Sequence, residues 1–256
     1  MADWNPRQYL QFETHRAQPV FDLLNRVPID APKRVLDIGC GPGNSTIRLR
    51  QHWPNAEIIG IDNSPGMIQS AQEAFPALSF FLRDAGKPLD DLGSFDLVFS
   101  NAAFQWIPNH ELLLPRCFGL LRPGGCLAVQ TPNNDESLLH AAVWQTVSAE
   151  PWKDRMTADI IKAYDTPEAY YALLAPLSKN IFLWQTVYYH EMPSHEALLE
   201  WHRGTGLRPY LDQLPEAAKA DFEADVLNVL RQSFAPQPNG LFLLPFKRLF
   251  FTALKG

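Results

Sequence analysis

Apolar and polar positions alternate along the first half of the chain in a way that predicts strands and helices in turn. Short runs rich in Val, Ile, Leu and Phe are typical of buried strands, and the segments between them carry apolar residues at helical spacing. The expected elements are Val35–Ile38, Ser45–His52, Glu57–Asp62, Ser64–Phe75, Leu78–Leu82, Phe95–Asn101, Glu111–Leu121 and Cys126–Gln130. This alternation predicts an α/β fold with a mostly parallel sheet and helices on both faces. Right-handed crossovers bring the carboxyl ends of the strands to one rim, where a ligand is expected.

The segments on either side of this alternating region are less regular. Residues 5–27 have helical spacing, and Pro19 is expected to divide them into two helices. Tyr9 and Arg16 are candidates for closing over a ligand, and the alternative is that Tyr9 is buried and Arg16 solvated. Later in the chain the pattern predicts helices at Glu136–Ser148, Thr166–Leu177, Ser194–Arg203 and Pro215–Ser233, and strands at Ile181–Tyr189 and Leu241–Ala253.

Composition and charge limit the classes of partner. The chain has 256 residues, 46% of them hydrophobic, which is enough to bury a large core. Its formal net charge of −6 offers no basic field for a polyanion, so nucleic acid is not an expected partner. The three cysteines have no metal-ligand spacing, and no run is long enough to span a bilayer or to act as a secretion signal. We therefore expect a cytoplasmic protein without metal or membrane partner, monomeric or weakly homo-oligomeric.

A glycine-rich turn follows the first strand. Gly39, Gly41 and Gly43 allow the backbone to take positive φ and to lie against a ligand, while N–H groups at the next helix start favour an acceptor. A dinucleotide fold needs G-x-G-x-x-G, but the third glycine of that pattern is replaced by Asn44. The carboxylate of Asp37, two residues before the first glycine, suits the ammonium of an amino acid tail. The turn therefore favours a nucleoside with such a tail over a dinucleotide.

Two further acids end neighbouring strands. Asp62 can accept both hydroxyls of a ribose, which suits either class of nucleotide. Asp84 is placed to meet an adenine amino group, with the Ala85 N–H beside it for a ring nitrogen. The alternative for Asp84 is that it only caps its own turn.

These motifs resemble those of class I S-adenosylmethionine-dependent methyltransferases. The matching segments are 37–43, 60–62 with 64–67, Asp84, 95–98 and 120–125. The resemblance implies a Rossmann-like seven-stranded sheet whose last strand is antiparallel, with S-adenosyl-L-methionine as methyl donor, S-adenosyl-L-homocysteine as product and no metal. The cofactor-binding residues expected on this basis are Arg16, Asp37, Gly39, Gly41, Asp62, Asn63, Met67, Asp84, Ala85, Asn101, Gln105 and Trp106.

The order of the expected elements predicts one domain, residues 1–256, with a helical cap. Residues 1–30 would form an N-terminal helical cover and residues 31–132 the cofactor-binding core. Insertions at 133–180 and 191–238 would form a small cap over the rim. Residues 181–190 and 239–254 would supply the final strand pair.

Further segments narrow the resemblance to methyltransferases that act on a carboxylate of a small polycarboxylic acid. These are residues 4–10, 43–46, 101–108, 188–195 and 205–209. A carboxylate is already ionised near neutral pH, so no general base and no catalytic residue are expected. Alignment of the reactants and exclusion of water would account for the acceleration of methyl transfer. The candidate substrate contacts are Tyr171, Tyr189, His190 and Arg208.

Each of these candidates has a structural alternative. Arg208 is the leading carboxylate ligand because its planar fork matches two oxygens, and otherwise it is a surface arginine. Neighbouring tyrosines on a strand point to opposite faces, so at most one of Tyr188 and Tyr189 reaches a site. His190 can be a structural donor, and Trp106 either lies near the sulfonium or anchors the core. Two alternative functions stay open: methyl transfer to another small molecule, and a binding module without turnover.

Overall fold

The computed structural model of the protein describes residues 13–134, 136–157, 166–203 and 206–256, without the side chains of residues 13–17. Tyr9 and the side chain of Arg16 lie outside the described residues. The expectation that they close over a ligand therefore stays a prediction.

Seven strands form one sheet in the order β3-β2-β1-β4-β5-β7-β6. The first five strands pair in parallel, and β7 runs antiparallel to both β5 and β6. The expected mostly parallel, seven-stranded sheet with an antiparallel last strand is confirmed. The strands are β1 (Arg34–Ile38), β2 (Glu57–Asp62), β3 (Ser79–Leu82), β4 (Phe95–Asn101), β5 (Leu121–Pro132), β6 (Asn180–Met192) and β7 (Phe242–Leu254).

Helices connect the strands and cover both faces of the sheet, as the alternating pattern predicts. They are α1 (Glu13–Leu24), α2 (Asn44–His52), α3 (Pro65–Ala74), α4 (His110–Gly119), α5 (Leu138–Val147), α6 (Pro167–Leu174), α7 (His195–Arg203), α8 (Arg208–Leu211) and α9 (Glu216–Ser233). Two short 3-10 turns lie at Asp90–Leu92 and Phe104–Trp106. Among the helices of the described residues, none has the length and apolar character needed to cross a bilayer.

Pro19 lies inside α1, so the expected break at this residue is wrong. A proline removes one backbone N–H and costs roughly 3 kcal/mol in a helix interior. Val20, Leu23 and Leu24 of the same helix are buried against the sheet. Each such burial contributes about 1.5–3 kcal/mol, which offsets the cost of the proline.

The described residues form three large apolar clusters and a smaller one of Cys40, Ile68, Ala71 and Phe80. The α1-side cluster lies between one face of the sheet and α1 and α2, and includes Val20, Leu23, Leu24, Val35, Leu49, Ile58, Leu97, Phe99, Ala128 and Phe250. The α4-side cluster covers the other face and includes Leu36, Ile38, Ile61, Phe104, Leu114, Phe118, Leu127, Tyr170, Leu249 and Phe251. The cap cluster joins α5, α7 and α9 to the last residues of β6 and the first residues of β7. It includes Leu139, Val143, Trp152, Met192, Leu198, Trp201, Phe222, Val226, Leu244 and Phe246.

Asp96 ties the starts of β1 and β4 together, which gives the 95–98 motif a structural role. Its carboxylate accepts hydrogen bonds from the backbone N–H groups of Lys33 and Arg34 at 2.7 and 2.8 Å, and from Arg122 at 3.1 Å. Partial burial raises the pKa of Asp96, but the N–H groups of Arg34 and Lys33 and the Arg122 guanidinium outweigh it and hold the pKa below its ordinary value. This contact lies at the opposite end of the strands from the rim.

Candidate active site

The glycine turn lies where β1 ends at the rim. Gly39, Gly41 and Gly43 all have positive φ, at +70°, +53° and +93°. A Cβ added to Gly39 would lie 2.1 Å from the Cβ of Ala103, whereas one added to Gly41 would meet nothing within 4 Å. Gly39 is therefore required for packing, and Gly41 leaves open space beside the backbone for a ligand.

Asp62 is held in place by two backbone donors. Its Oδ2 accepts from the Gly41 N–H at 3.0 Å, and its Oδ1 accepts from the Ser64 N–H at 2.9 Å. Ser64 in turn caps α3, because its hydroxyl accepts from the Met67 N–H at 3.2 Å. The end of β2 thus presents a carboxylate of fixed orientation at the rim.

A cleft runs along the rim between the glycine turn and the ends of β2, β3 and β4. Its free space, including the part open to solvent, is about 1150 Å³. The predicted cofactor residues that line it are Gly39, Gly41, Asp62, Asn63, Met67, Asp84, Ala85, Asn101 and Trp106. The structure therefore brings these expected residues together in one place.

The cleft also has lining residues that the sequence interpretation missed. Asn44, Arg48 and Val20 contribute to its wall, as does Ala102, a residue with a φ of +54°. Asn44 and Arg48 are four residues apart and share a face of α2, so helical spacing from the glycine turn is the signal that points to Arg48. Val20 comes from α1 and gives no local signal.

Asp84 caps its own turn and also lines the cleft. It is exposed and lines the cleft, and its Oδ1 accepts from the Gly86 N–H at 2.8 Å. The neighbouring Ala85 is buried, and its carbonyl accepts from Arg116 at 3.2 Å. The turn cap and an adenine contact are thus compatible.

Trp106 is 41% exposed and lines the cleft, so the alternative of a core anchor is wrong for it. Asn101 stands beside it at the end of β4, with a buried Oδ1 that has no hydrogen-bond partner. An unpartnered buried amide oxygen in a cleft wall is suited to a donor from a ligand.

Two predicted cofactor residues, Asp37 and Gln105, do not line the cleft. Gln105 is used locally, because its amide donates to the Ala102 carbonyl at 2.7 Å and accepts from the Thr131 hydroxyl at 3.3 Å. These bonds join the loop after β4 to β5. In this geometry Gln105 positions Ala102 and does not face the cleft itself.

Asp37 is fully buried beneath the glycine turn. Its Oδ2 accepts from the hydroxyls of Ser45 and Thr46 at 2.7 and 2.6 Å, so it ties the turn to the start of α2. Its Oδ1 is buried without a hydrogen-bond partner. Burial raises the pKa of Asp37 to about 6, against the lowering effect of the two hydroxyls. A contact with an ammonium group stays a prediction.

The predicted substrate residues are spread over the cap and the final strand pair, and none of them lines the cleft. Tyr171 and Tyr189 are exposed at 56% and 62%. His190 is buried with its ring 4.9 Å from Trp201 in the cap cluster. Arg208 begins the short helix α8 instead of lying in an open turn, and its Nε is 3.7 Å from an Asp212 oxygen.

Tyr188 and Tyr189 point to opposite faces of β6, as their spacing predicts. Tyr188 packs against the α1-side cluster, and its hydroxyl donates to the carboxylate of Asp22. Burial, followed by the Asp22 carboxylate, raises the pKa of Tyr188 above its ordinary value. Tyr188 therefore joins α1 to the edge of the sheet.

A buried chain of hydrogen bonds supports the loop that carries Trp106. The Tyr170 hydroxyl lies 2.8 Å from His110 Nδ1, and His110 Nε2 lies 2.9 Å from the Phe104 carbonyl. Because a carbonyl only accepts, Nε2 carries the proton and Nδ1 accepts from the tyrosine. Tyr170 is thus a structural residue that links α6 to this loop.

The cleft has the space and the polar groups that a nucleoside ligand needs. Gly41 leaves open space, Asp62 is oriented by two backbone donors, and Asn101 has an unpartnered oxygen. Within the described ranges no group of three or more His, Cys, Asp or Glu side chains is arranged to hold a metal ion.

Comparison with known proteins gives full-length similarities. A family model described as a methyltransferase domain matches residues 29–188. The chain is 42% identical to trans-aconitate 2-methyltransferase of Methylobacterium radiotolerans over 260 residues, with 100% of both chains covered. It is 40% identical to the enzyme of the same name from Escherichia coli strain K12, covering 99% of this chain and 98% of that one.

Solved structures show the same fold at low sequence identity. The YcgJ protein of Bacillus subtilis is 15% identical with a TM-score of 0.61, covering 93% of this chain and 98% of that one. Phosphoethanolamine N-methyltransferase 2 of Haemonchus contortus, solved with phosphomonomethylethanolamine and S-adenosylhomocysteine, is 20% identical with a TM-score of 0.56. That match covers 93% of this chain and 52% of the other.

Proposed function

The chain belongs to the methyltransferase-domain family and, within it, to the trans-aconitate 2-methyltransferases, and we propose accordingly that it methylates trans-aconitate. The reaction is transfer of a methyl group from S-adenosyl-L-methionine to a carboxylate oxygen, giving a monomethyl ester and S-adenosyl-L-homocysteine. The family resemblance read from the sequence motifs is confirmed.

The observation that carries the cofactor assignment is the pairing of the Gly41 turn with Asp62 at one end of the cleft. In this proposal Asp62 accepts the ribose hydroxyls, and the open face of Gly41 lies against the amino acid tail. Asp84 and the Ala85 N–H hold the adenine. Gly39, Asn63, Met67, Asn101 and Trp106 complete the wall. Asp37 and Gln105 support it from behind, and Arg16 is a further candidate whose side chain lies outside the described residues. The bound cofactor supplies the electrophilic methyl group.

The chain itself then has to align and desolvate the acceptor. A carboxylate nucleophile is already ionised, so the reaction needs no general base. The net charge of −6 opposes a tricarboxylate, so local donors must outweigh the overall field. Tyr171, Tyr189, His190 and Arg208 are proposed donors from the cap and final strand pair. For them to reach the acceptor, the cap must move relative to the cleft or the acceptor must extend beyond it.

The proposed arrangement of the chain separates cofactor binding from acceptor binding. We propose a single domain with an N-terminal cover at 1–30, a cofactor-binding core at 31–132, cap insertions at 133–180 and 191–238, and a final strand pair at 181–190 and 239–254. The cap cluster, which is separate from the two sheet clusters, supports this division. We further propose a cytoplasmic enzyme, monomeric or weakly homo-oligomeric, that binds neither nucleic acid nor membrane.

The test is incubation of the protein with S-adenosyl-L-methionine and trans-aconitate, followed by mass spectrometry of the products. The expected product is a monomethyl ester that alkali hydrolyses back to the acid. An alkali-stable product from a panel of amines would instead favour methyl transfer to nitrogen. Cofactor binding in calorimetry without turnover of any acceptor would favour a binding module.

A further inference from the structure

The seam between the cap cluster and the α1-side cluster contains a buried arginine. Along one face of β7, Leu244 and Phe246 belong to the cap cluster and Phe250 to the α1-side cluster. Arg248 occupies the position between them on that face. It is only 5% exposed, and its guanidinium carbon lies 4.5 Å from the centre of the Phe246 ring. A charge is therefore held at the boundary between the two apolar regions.

Strand register places Arg248 at the same rim as the cleft. Arg248 is the partner of Pro132, the last residue of β5, and of Thr186 on β6. The cleft wall at Asn101 lies at the end of β4, the strand next to β5. Two strand spacings of about 4.8 Å separate the backbones of β4 and β7. Arg248 is thus near the cleft without being part of its wall.

Gln130 lies between these two positions. It is the register partner of Asn101 on β4 and of Phe250 on β7, and its side chain shares the face of Asn101 and Arg248. Gln130 is 0% exposed, and both its amide nitrogen and its amide oxygen have no hydrogen-bond partner. Buried amides are almost always satisfied, so an unpartnered one beside a cleft points to a polar group supplied by a ligand.

We propose that Arg248 and Gln130 bind a carboxylate of the acceptor that is not the one methylated. This subsite rests on the proposed function and names a specificity determinant for it. A guanidinium offers two parallel N–H donors that match a carboxylate, and Gln130 adds a third donor from its amide. Because the seam is shielded from water, such a contact is stronger than one made on the surface.

The other charged groups at the seam are compatible with this assignment. Asp22 accepts from the Tyr188 hydroxyl, and the positive charge of Arg248 acts on the same hydroxyl. The two arginines in the cleft wall are used on its solvent side, where Arg48 donates to Gln51 and Arg83 pairs with Asp91. Among the arginines and lysines whose side chains the structure describes, Arg248 is the one that is buried.

The experiment compares Arg248→Met and Arg248→Lys with the wild type in steady-state kinetics for trans-aconitate. Arg248→Met keeps the apolar stem, so we expect a KM for trans-aconitate raised about 100-fold, as for loss of one partner from a buried charge pair. Arg248→Lys keeps the charge without the fork, and we expect a smaller rise. A monocarboxamide analogue of trans-aconitate tests whether Arg248 binds a carboxylate. Wild type should have a higher KM for the analogue than for trans-aconitate, and Arg248→Met should not.

The control variant is Arg231→Met, which removes an exposed arginine paired with Glu196 on the outside of the cap. Its KM and the cofactor affinity of all variants, measured by calorimetry, should equal those of wild type. If Arg248→Met does not fold, Gln130→Glu gives a second test, because a new negative charge should raise the KM for the same acceptor. Unchanged KM values in Arg248→Lys and Gln130→Glu, or equal loss of cofactor affinity, would overturn the subsite. Failure of the wild type to methylate any polycarboxylate would overturn the proposed function and the subsite with it.

Discussion

The backbone N–H of Gly41 donates to Asp62 Oδ2 at 3.0 Å, and this bond joins the turn after β1 to the end of β2. The relationship couples two motifs that lie 21 residues apart in the chain. Gly41 lies with its open side toward the cleft, and Asp62 receives its orientation from the same residue. A ligand that contacts the turn is therefore placed at a fixed distance from the carboxylate.

Replacement of Asp62 by Ala should weaken binding of S-adenosyl-L-methionine about 100-fold in calorimetry. Two hydrogen bonds from ribose hydroxyls to a carboxylate at about 1.5 kcal/mol each give roughly 3 kcal/mol, or two orders of magnitude. The matched control is Asp91→Ala, which removes an exposed carboxylate paired with Arg83. Equal affinities for the Asp62 variant and the wild type would reject the ribose contact.

Alanine at Gly41 and alanine at Gly39 should have opposite effects. The Gly41 variant has room for its Cβ and bears only the cost of positive φ, about 1–2 kcal/mol, so it should fold but bind cofactor poorly. The Gly39 variant would place its Cβ 2.1 Å from Ala103, so it should be strongly destabilised. Thermal unfolding and calorimetry measure the two effects. A Gly41→Ala protein with wild-type cofactor affinity would contradict the proposal that the cofactor lies against Gly41.

The strands and the cleft residues at their ends could be predicted from the sequence because both depend on local patterns. Buried parallel strands are short apolar runs, and the residue that follows each run lies at the rim by topology. Asp62, Asp84 and Asn101 reach the cleft for this reason. The glycine positions follow from backbone conformation, which is also local.

Features that depend on tertiary packing could not be predicted in the same way. Asp37 has the same sequence context whether it faces a ligand or accepts from the hydroxyls of Ser45 and Thr46 below the turn. The helix continues through Pro19 because neighbouring residues are buried. Arg248 follows a lysine in an apolar run, and only the register of β7 against β5 places it at the seam.

Tyr170→Phe should lower the free energy of unfolding by about 1–3 kcal/mol, since His110 Nδ1 loses a buried donor. The loop at 104–106 depends on the same chain of bonds, so the variant should also reduce the melting temperature gain from added cofactor. Chemical denaturation measures the first effect, with Tyr171→Phe as the control because that side chain is exposed. Equal destabilisation by both variants would argue against the Tyr170 network.

Asp37 should make the ligand-free protein less stable as pH rises from 4 to 7. Its folded pKa of about 6 exceeds the ordinary value of 3.8, so the folded state favours the protonated form. The stabilisation from that proton is complete below pH 3.8 and is lost as pH rises through 6. The free energy of unfolding of Asp37→Asn should therefore rise relative to that of wild type by about 2 kcal/mol between pH 4 and pH 7 in urea denaturation. A difference that does not change with pH would contradict this role.

Cofactor affinity should change with pH in the opposite sense if Asp37 attracts the ammonium of the amino acid tail. The carboxylate is ionised at pH 7 and mostly protonated at pH 5, because burial raises its pKa to about 6. One unit below that pKa only about a tenth of the group is charged, so the Kd for S-adenosyl-L-methionine should rise about tenfold between pH 7 and pH 5. Asp37→Asn should bind more weakly at pH 7 and lose this dependence, which calorimetry at both pH values measures. An identical pH dependence in wild type and Asp37→Asn would assign Asp37 to holding the turn alone, through Ser45 and Thr46.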